Sequence, residues 1–236
     1  MVESHPDPEA LARLTAGFDH EFADQSLLLR AMQHRSWQAE VDAAESNERL
    51  EFLGDAVLGW VVADIAYTTF GDLPEGRLTD LRKSVVNANA LADLARQVNV
   101  GPALLLGRGE DAAGGRTKTS ILSDAFEAVI GAVYLDAGPM VAYEKVKRLL
   151  LPAMQRALPN IDKLDAKTVL QERAARLGFS APRYAVESDG PDHAKTFTAR
   201  VVVGDIEAVG TGPSKKNAEQ MAAEAALVGL PAPTDA

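Results

Sequence analysis

The 236-residue chain contains no cysteine. Disulfides, thiolate catalysis and cysteine-ligated zinc are thereby excluded, and a reducing setting fits. There is no run of about eighteen apolar residues, which predicts no transmembrane helix and no membrane partner. The N-terminal stretch MVESHPDPEA lacks a basic n-region and an apolar h-region, so no signal peptide is predicted and a cytoplasmic location is expected. No internal repeat is visible. Positive charge is also in short supply: 24 Lys and Arg stand against 34 Asp and Glu, a net charge of −10. Taken alone, that balance argues against a nucleic-acid partner.

What is present is an ordinary globular composition, 47% hydrophobic and 25% charged, so disorder is not the default. The length suits two domains. Residues 1–164 carry 16 basic and 24 acidic side chains, and residues 165–230 carry 8 and 9. Neither part is basic, so any grip on nucleic acid must come from local clusters. The acid excess of the first part fits plain solubility or cation binding.

Residues 1–155 read as successive helices. Asp7-Pro8 has the form of an N-cap followed by proline at the first helical position. Leu27, Leu28, Ala31 and Met32 suggest a second helix, and Ser46 or Asn47 could cap a third running from about Glu48 to Tyr67. After the turn cluster Gly71–Gly76, helical patterns resume over Arg77–Asn99, Ser120–Asp136 and Val141–Arg156. The character changes near Pro159-Asn160. One further helix (Ala166–Leu177) precedes strand-like runs at Tyr184–Ser188, Thr196–Val203 and Ile206–Thr211, and an alanine-rich helix follows over Lys215–Gly229. The predicted fold is an all-α domain followed by a small α+β unit of order α-β-β-β-α. The predicted boundaries are a tail at 1–8, a helical domain at 9–156, a linker at 157–164, the α+β unit at 165–230 and a tail at 231–236.

The third helix carries the stretch NERLEFLGDAVLGW (Asn47 to Trp60). At about 100° per residue, Leu50, Leu53, Val57, Trp60 and Val61 share a face, and Glu48, Glu51 and Asp55 share the opposite one. Acids opposite an apolar stripe are also what an ordinary surface helix shows. Phe52 and Gly59 sit beside the acids, however, and an exposed phenylalanine there points to a partner surface. Gly54 costs roughly 1 kcal/mol of helix propensity relative to alanine, which fits either close approach by another backbone or an incidental choice.

The segment SILSDAFEAVIGAVYLD (Ser120 to Asp136) is apolar nearly all round, the signature of a buried helix. Between Ile121 and Leu135 its only charges are Asp124 and Glu127. Buried carboxylates require compensation, either by structural salt bridges to Arg or Lys or by a cation. Taken together, Glu51, Asp55, Asp124 and Glu127 make an oxygen-only set suited to Mg²⁺, or to Mn²⁺ in its place. Such a site can hold two ions about 3.5–4 Å apart and support in-line attack on a phosphodiester. Glu75 is a weaker candidate, since an acid in a first helical turn is favoured by the helix dipole in any case. Lys83 fits a phosphate contact or a transition-state cation, although such a lysine more often simply solvates a helix face.

These elements together resemble the ribonuclease III family. Glu48–Ala56 (ERLEFLGDA) is similar to its signature stretch, His34-Arg35-Ser36 to its HRS element, Glu75-Gly76 to the acid before its next helix, and Ser123–Ala128 to its second acidic motif. The C-terminal part resembles a double-stranded-RNA-binding domain, with Gly210-Thr211-Gly212 and Ser214-Lys215-Lys216 opening the last helix. The resemblance spans roughly residues 10–230. It implies that Glu51, Asp55, Asp124 and Glu127 are metal ligands, that Asp55 and Glu127 are the active-site pair, and that Glu48 and Glu75 line the catalytic valley. It further implies that Phe52 packs into a partner subunit of a homodimer. The implied reaction is two-metal cleavage of double-stranded RNA, leaving 5′-phosphate and 3′-hydroxyl ends with 3′ overhangs, in the processing of rRNA and mRNA precursors.

A-form RNA hides its bases in a deep, narrow groove, so a protein must read 2′-hydroxyls and phosphates. Thr168, Gln171 and Glu172 lie on one side of the first helix of the C-terminal unit and can reach hydroxyls. The loop Gly190-Pro191-Asp192-His193 can enter the next minor groove. Ser214, Lys215 and Lys216 open the last helix, where the dipole favours phosphate and disfavours unpaired cations. Pro213 stands where a small polar residue is expected, and Gln33 where the family often has threonine. Two other classes remain for comparison. An RNA-binding protein with an inactive nuclease domain would be expected to lack one of the four acids, and all four are present. An all-helical enzyme acting on diphosphates would call for a DDxxD run, and none occurs.

Overall fold

The computed structural model describes residues 5–41, 45–164, 166–191 and 195–231, with 160–164 described in backbone only. It divides into two compact units, Met1–Ala157 and Leu158–Ala236. The first contains α1 (Pro8–Phe18), α2 (Gln25–Ala31), α3 (Arg35–Gln38), α4 (Glu48–Thr69), α5 (Glu75–Val85), α6 (Ala88–Gln97), α7 (Val100–Ala103), α8 (Arg108–Ala112) and most of α9 (Thr119–Leu164). A single parallel bridge, Gln33 to Leu105, is the extended pairing found there among the described residues. Local chemistry sets several helix starts. The Asp7 side chain accepts from Glu9 N–H with proline at the first position of α1, Asp24 caps α2 through Ser26 N–H, and Asn87 caps α6 through Ala90 N–H.

The centre of this unit is the crossing of α4 and α9. A Cβ on Gly54 would stand 1.8 Å from the backbone oxygen of Glu127, and one on Gly131 would stand 2.3 Å from that of Leu50. Only glycine permits backbones to approach this closely. Of the two readings the sequence left open for Gly54, close approach by another backbone is the one the structure takes. Around the crossing the core is apolar, with Leu58, Ile65, Leu122 and Phe126 fully buried and Phe18 tilted against Phe126 at a centroid distance of 5.4 Å.

Three features depart from expectation. Asn47 occupies the cap position of α4 but makes no side-chain cap; it is buried, and its Nδ2 donates to Ala31 O while its N–H donates to Gln33 O. It thus ties the start of α4 to the α2–α3 turn. Trp60, placed by periodicity on the core stripe, is 45% exposed and lies beside Tyr143 at a centroid distance of 5.8 Å. The stretch read as a linker, 157–164, has helical backbone as far as Leu164. The break in α9 lies earlier, at Gly138 with φ 81°, directly before Pro139. Between Thr119 and Pro159 this helix is long and apolar enough to cross a bilayer by length and composition, yet half of its most apolar window is buried inside the protein. Asp136 accepts from His20 Nε2 and from the Ala23 and Asp24 N–H groups, fixing the α1–α2 turn to α9. Burial pushes its carboxyl up, but those bonds hold it below the usual range.

The second unit has α10 (Ala166–Arg176), β1 (Arg183–Asp189), β2 (Thr196–Val203), β3 (Ile206–Gly212) and α11 (Lys215–Gly229). The strands form one antiparallel sheet in the order β1-β2-β3, with Arg200 opposite both Ala185 and Val209. Its core joins Leu170 and Ala174 to Ala199, Val201 and Val203 and to Ala218, Ala222, Ala223 and Ala226. The alanine content of α11 has a steric reason. A Cβ on Gly210 would stand 2.1 Å from Ala222 N, so helix and strand lie nearly in backbone contact.

Gly54→Ala is expected to lower the unfolding free energy by about 3 kcal/mol, since the added methyl must drive apart two helix backbones. Urea denaturation measures this, and a loss below about 1 kcal/mol, the ordinary glycine-to-alanine range, would show that the crossing is not under steric constraint.

Candidate functional site

The glycine crossing determines which side chains meet. Glu51 lies one turn before Gly54 on α4, and Glu127 is the residue whose carbonyl rests against Gly54. Carboxylate oxygens of Glu51, Asp124 and Glu127 lie within 4.8 Å of one another, each only partly buried. Among the described residues no Lys or Arg pairs with Asp124 or Glu127, so of the two forms of compensation their burial demands, salt bridges are not the one present. Asp55 is exposed and stands outside this group of three, but its charge bears on Glu127.

The electrostatics follow from crowding. Burial, followed by the charges of Asp55, Glu51 and Asp124, pushes Glu127 up to about 8. Burial likewise raises Glu51, with Asp124 and Glu48 adding to it and Arg35 opposing. Like charges in a half-buried cleft favour the protonated form until a cation joins them. The donors are all carboxylate oxygen, the chemistry of a hard divalent ion.

Beside the three acids lies a cavity of about 260 Å³, lined by His34, Arg35, Asn47, Glu48, Glu51, Glu110, Lys118, Ser120, Ile121 and Asp124. Glu48 is exposed and accepts from Ser46 Oγ at 2.8 Å. His34 Nδ1 accepts from Ser36 N–H and so caps α3, which assigns the neutral ring's proton to Nε2. Burial holds this imidazole below its usual range. Ser36 Oγ in turn accepts from Gly107 N–H. Sequence patterning did not single out Glu110 and Lys118, which pair at 3.3 Å. Glu110 reaches the site from the five-residue helix α8 and Lys118 from the turn that precedes α9, elements too short to show a periodicity.

Other expected residues lie elsewhere. Glu75 begins α5, is exposed and accepts from Thr79 Oγ1 of its own helix. Lys83 stands 4.0 Å from Asp80 in the same helix. Phe52 is 81% exposed, as its place among the acids predicted. Gly59 has open space where a Cβ would project.

In the second unit Thr168, Gln171 and Glu172 are all exposed on α10. Ser214 caps α11 by accepting from Asn217 N–H, which places Lys215 and Lys216 in the first turn without an acid among them. His193 lies outside the described residues.

Comparison with known proteins adds the following. Residues 24–154 match the family described as Ribonuclease-III-like, and residues 166–230 match the double-stranded RNA binding motif. The chain is 51% identical over 213 residues to the Ribonuclease 3 of Streptomyces coelicolor, covering 90% of this chain and 77% of that one. It is 44% identical to the Ribonuclease 3 of Symbiobacterium thermophilum, covering 97% of each. Among solved structures, the nuclease domain of ribonuclease III from Campylobacter jejuni aligns with a TM-score of 0.56 at 39% identity, covering 63% of this chain and 96% of that one.

The raised value of Glu127 has a stability consequence with a definite sign. A group at about 8 in the fold and 4.5 when unperturbed contributes stability that is complete below about 4.5 and lost as pH rises through about 8. In EDTA, Glu127→Gln is therefore expected to melt with wild type near pH 5 and about 3–6 °C above it near pH 9. Thermal scans at both pH values test this, and a difference independent of pH would refute the crowding account.

Proposed function

The chain belongs to the ribonuclease III family and is a double-stranded-RNA endonuclease, and from that premise we propose that the carboxylates meeting at the α4–α9 crossing are its metal ligands and its active site. The observation that carries this reading is the trio Glu51, Asp124 and Glu127, oxygen donors from two helices within 4.8 Å of one another with no basic partner for Asp124 or Glu127 among the described residues. Asp55, one turn beyond Glu51 on α4, completes the set, and its charge already bears on Glu127. The donor chemistry favours Mg²⁺, with Mn²⁺ able to replace it. Held by these four carboxylates, a pair of such ions would supply a nucleophilic water at neutral pH and charge compensation at the leaving 3′ oxygen, chemistry that would leave 5′-phosphate and 3′-hydroxyl ends.

The chain's own side chains do the rest. Glu127 holds a proton near neutral pH in the metal-free site and releases it when a cation relieves the crowding. Glu48, at the start of α4 and oriented by Ser46, adds negative charge at the cavity wall. Thr168, Gln171 and Glu172 present polar groups to 2′-hydroxyls, and His193 belongs to the loop assigned to the next minor groove. The Ser214-capped start of α11 offers Lys215, Lys216 and unpaired N–H groups to phosphate. The Campylobacter domain is described as having a region involved in dimer formation. Here the exposure of Phe52 beside the acids supports a homodimer whose two sites cut opposite strands and leave 3′ overhangs. Precursors of rRNA and mRNA are the proposed substrates.

An end-labelled perfect RNA duplex is expected to be cut to short duplexes with 3′ overhangs in Mg²⁺ and to remain intact in EDTA. Asp124→Ala is expected to reduce cleavage at least about 10³-fold, the scale of losing an electrostatic element of an active site, while duplex affinity changes less than about threefold. Binding without cleavage by the wild-type chain would favour an RNA-binding protein with an inactive nuclease domain. A second expectation concerns α11: with Lys215 and Lys216 both replaced by Ala, the slope of log affinity against log salt should fall by about 0.7–0.9 per lost phosphate contact. An unaltered slope would remove both lysines from the interface.

A further inference from the structure

We propose that Lys167, Glu219 and Gln220 form a positioning lock that holds the RNA-facing side of α10 at a fixed offset from the phosphate-binding start of α11. The proposal rests on the double-stranded-RNA reading of the second unit. Three contacts compose the lock. Lys167 Nζ donates to Glu219 Oε2 at 2.7 Å, the Lys167 backbone N–H donates to Gln220 Oε1 at 3.2 Å, and the Lys167 ammonium stands 4.6 Å from the centroid of the Tyr184 ring.

The second contact is chemically the most informative. The first N–H groups of any helix lack partners within it and are usually satisfied by a side chain from the preceding few residues. Here α10 receives its acceptor from α11, more than fifty residues later in the chain. Gln220 is buried, so its amide is committed to this contact rather than to water. The ion pair is likewise more than a surface pair, since the Glu219 side chain is only 14% exposed. The ring beneath the ammonium stays neutral, because burial and the Glu219 carboxylate push the Tyr184 phenol up to about 12. An ammonium over an aromatic face adds further attraction when partly desolvated.

Position gives the lock its role. Lys167 directly precedes Thr168, and Glu219 follows Lys215 by one helical turn. The link therefore ties the start of the hydroxyl-reading face to the start of the phosphate-reading helix. Duplex RNA presents minor-groove hydroxyls and flanking phosphates at a spacing set by its own A-form geometry. A slip between α10 and α11 would let one set engage only at the expense of the other. Glu219 is thus a positioning residue that acts through α10 and need not touch RNA.

Charge gives the test its sign. If Glu219 acted on RNA only through its field, neutralising it would tighten binding to a polyanion. If it acts by placing α10, neutralising it weakens binding. Affinity of the full chain for a fluorescent RNA duplex is measured by anisotropy in EDTA, across a salt series. Glu219→Gln is expected to bind about tenfold more weakly, a loss of about 1.4 kcal/mol, with the salt slope of wild type. Lys167→Arg, which keeps the pair, should bind as wild type. The exchanged pair Lys167→Glu with Glu219→Lys should recover most of the loss, and it keeps the question open to test if either single variant folds poorly. Gln220→Ala should raise amide hydrogen exchange in the first turn of α10 and, in Mg²⁺, raise KM for cleavage while leaving kcat unchanged. Glu219→Gln binding as tightly as wild type, or more tightly, overturns the lock. Failure of the wild-type chain to bind duplex at all overturns the RNA reading itself, and is told apart because every variant then behaves alike.

Discussion

The structure of the first unit depends on one contact, the near-touching of the α4 and α9 backbones at Gly54 and Gly131. Helices normally pack with their axes about 8–10 Å apart because side chains fill the gap. Removing two side chains at the crossing draws the backbones together and brings forward whatever lies one turn away. On α4 Glu51 lies one turn before Gly54 and Asp55 directly after it, and on α9 Glu127 lies one turn and Asp124 two turns before Gly131. The carboxylates crowd because apolar packing elsewhere, around Leu58, Ile65, Leu122 and Phe126, holds the helices against the repulsion.

That arrangement runs against the ordinary rule that buried charge is paired. The unit does pair its other buried acid. Asp136 accepts three hydrogen bonds, one of them from His20. Glu127, in the middle of the same helix segment, is faced by other acids, and burial together with their charge pushes its carboxyl up to about 8. The contrast within one helix separates a carboxylate held by hydrogen-bond donors from one crowded by other acids, and the second is the kind the proposed metal site uses. A preorganised set of oxygen donors binds an ion without first having to be assembled, and the stability lost in the metal-free state is the counterpart of that affinity.

The second unit uses small residues for a different end. Gly210 and Gly212 on β3, facing alanine-rich α11, let helix and sheet lie nearly in backbone contact. Residues 165–230 as a whole carry almost no excess charge, 8 basic side chains against 9 acidic. With so little positive charge available, geometry must supply what electrostatics does not. This is why a contact such as Lys167 to Glu219 can matter more here than in a strongly basic domain.

Local pattern alone determined a good deal. Strand β2 and helix α11 begin and end where β-branched runs, turn residues and the Ser214 cap place them, since those signals act within a few residues. The acids of α4 and α9 were visible as charges on otherwise apolar helices, and the exposure of Phe52 followed from its angle on the wheel. Four matters were decided only in three dimensions. Trp60 is half-exposed beside Tyr143, Asn47 gives up a cap bond to reach Ala31, and Glu110 with Lys118 joins the cavity from a short helix and a turn that have no period to read. Gly54 was legible as an anomaly, but its meaning was not. Sequence records how side chains are spaced along one helix, whereas the distance between two helices is set by the contact of their backbones, and it is that distance which turns separate acidic residues into one site.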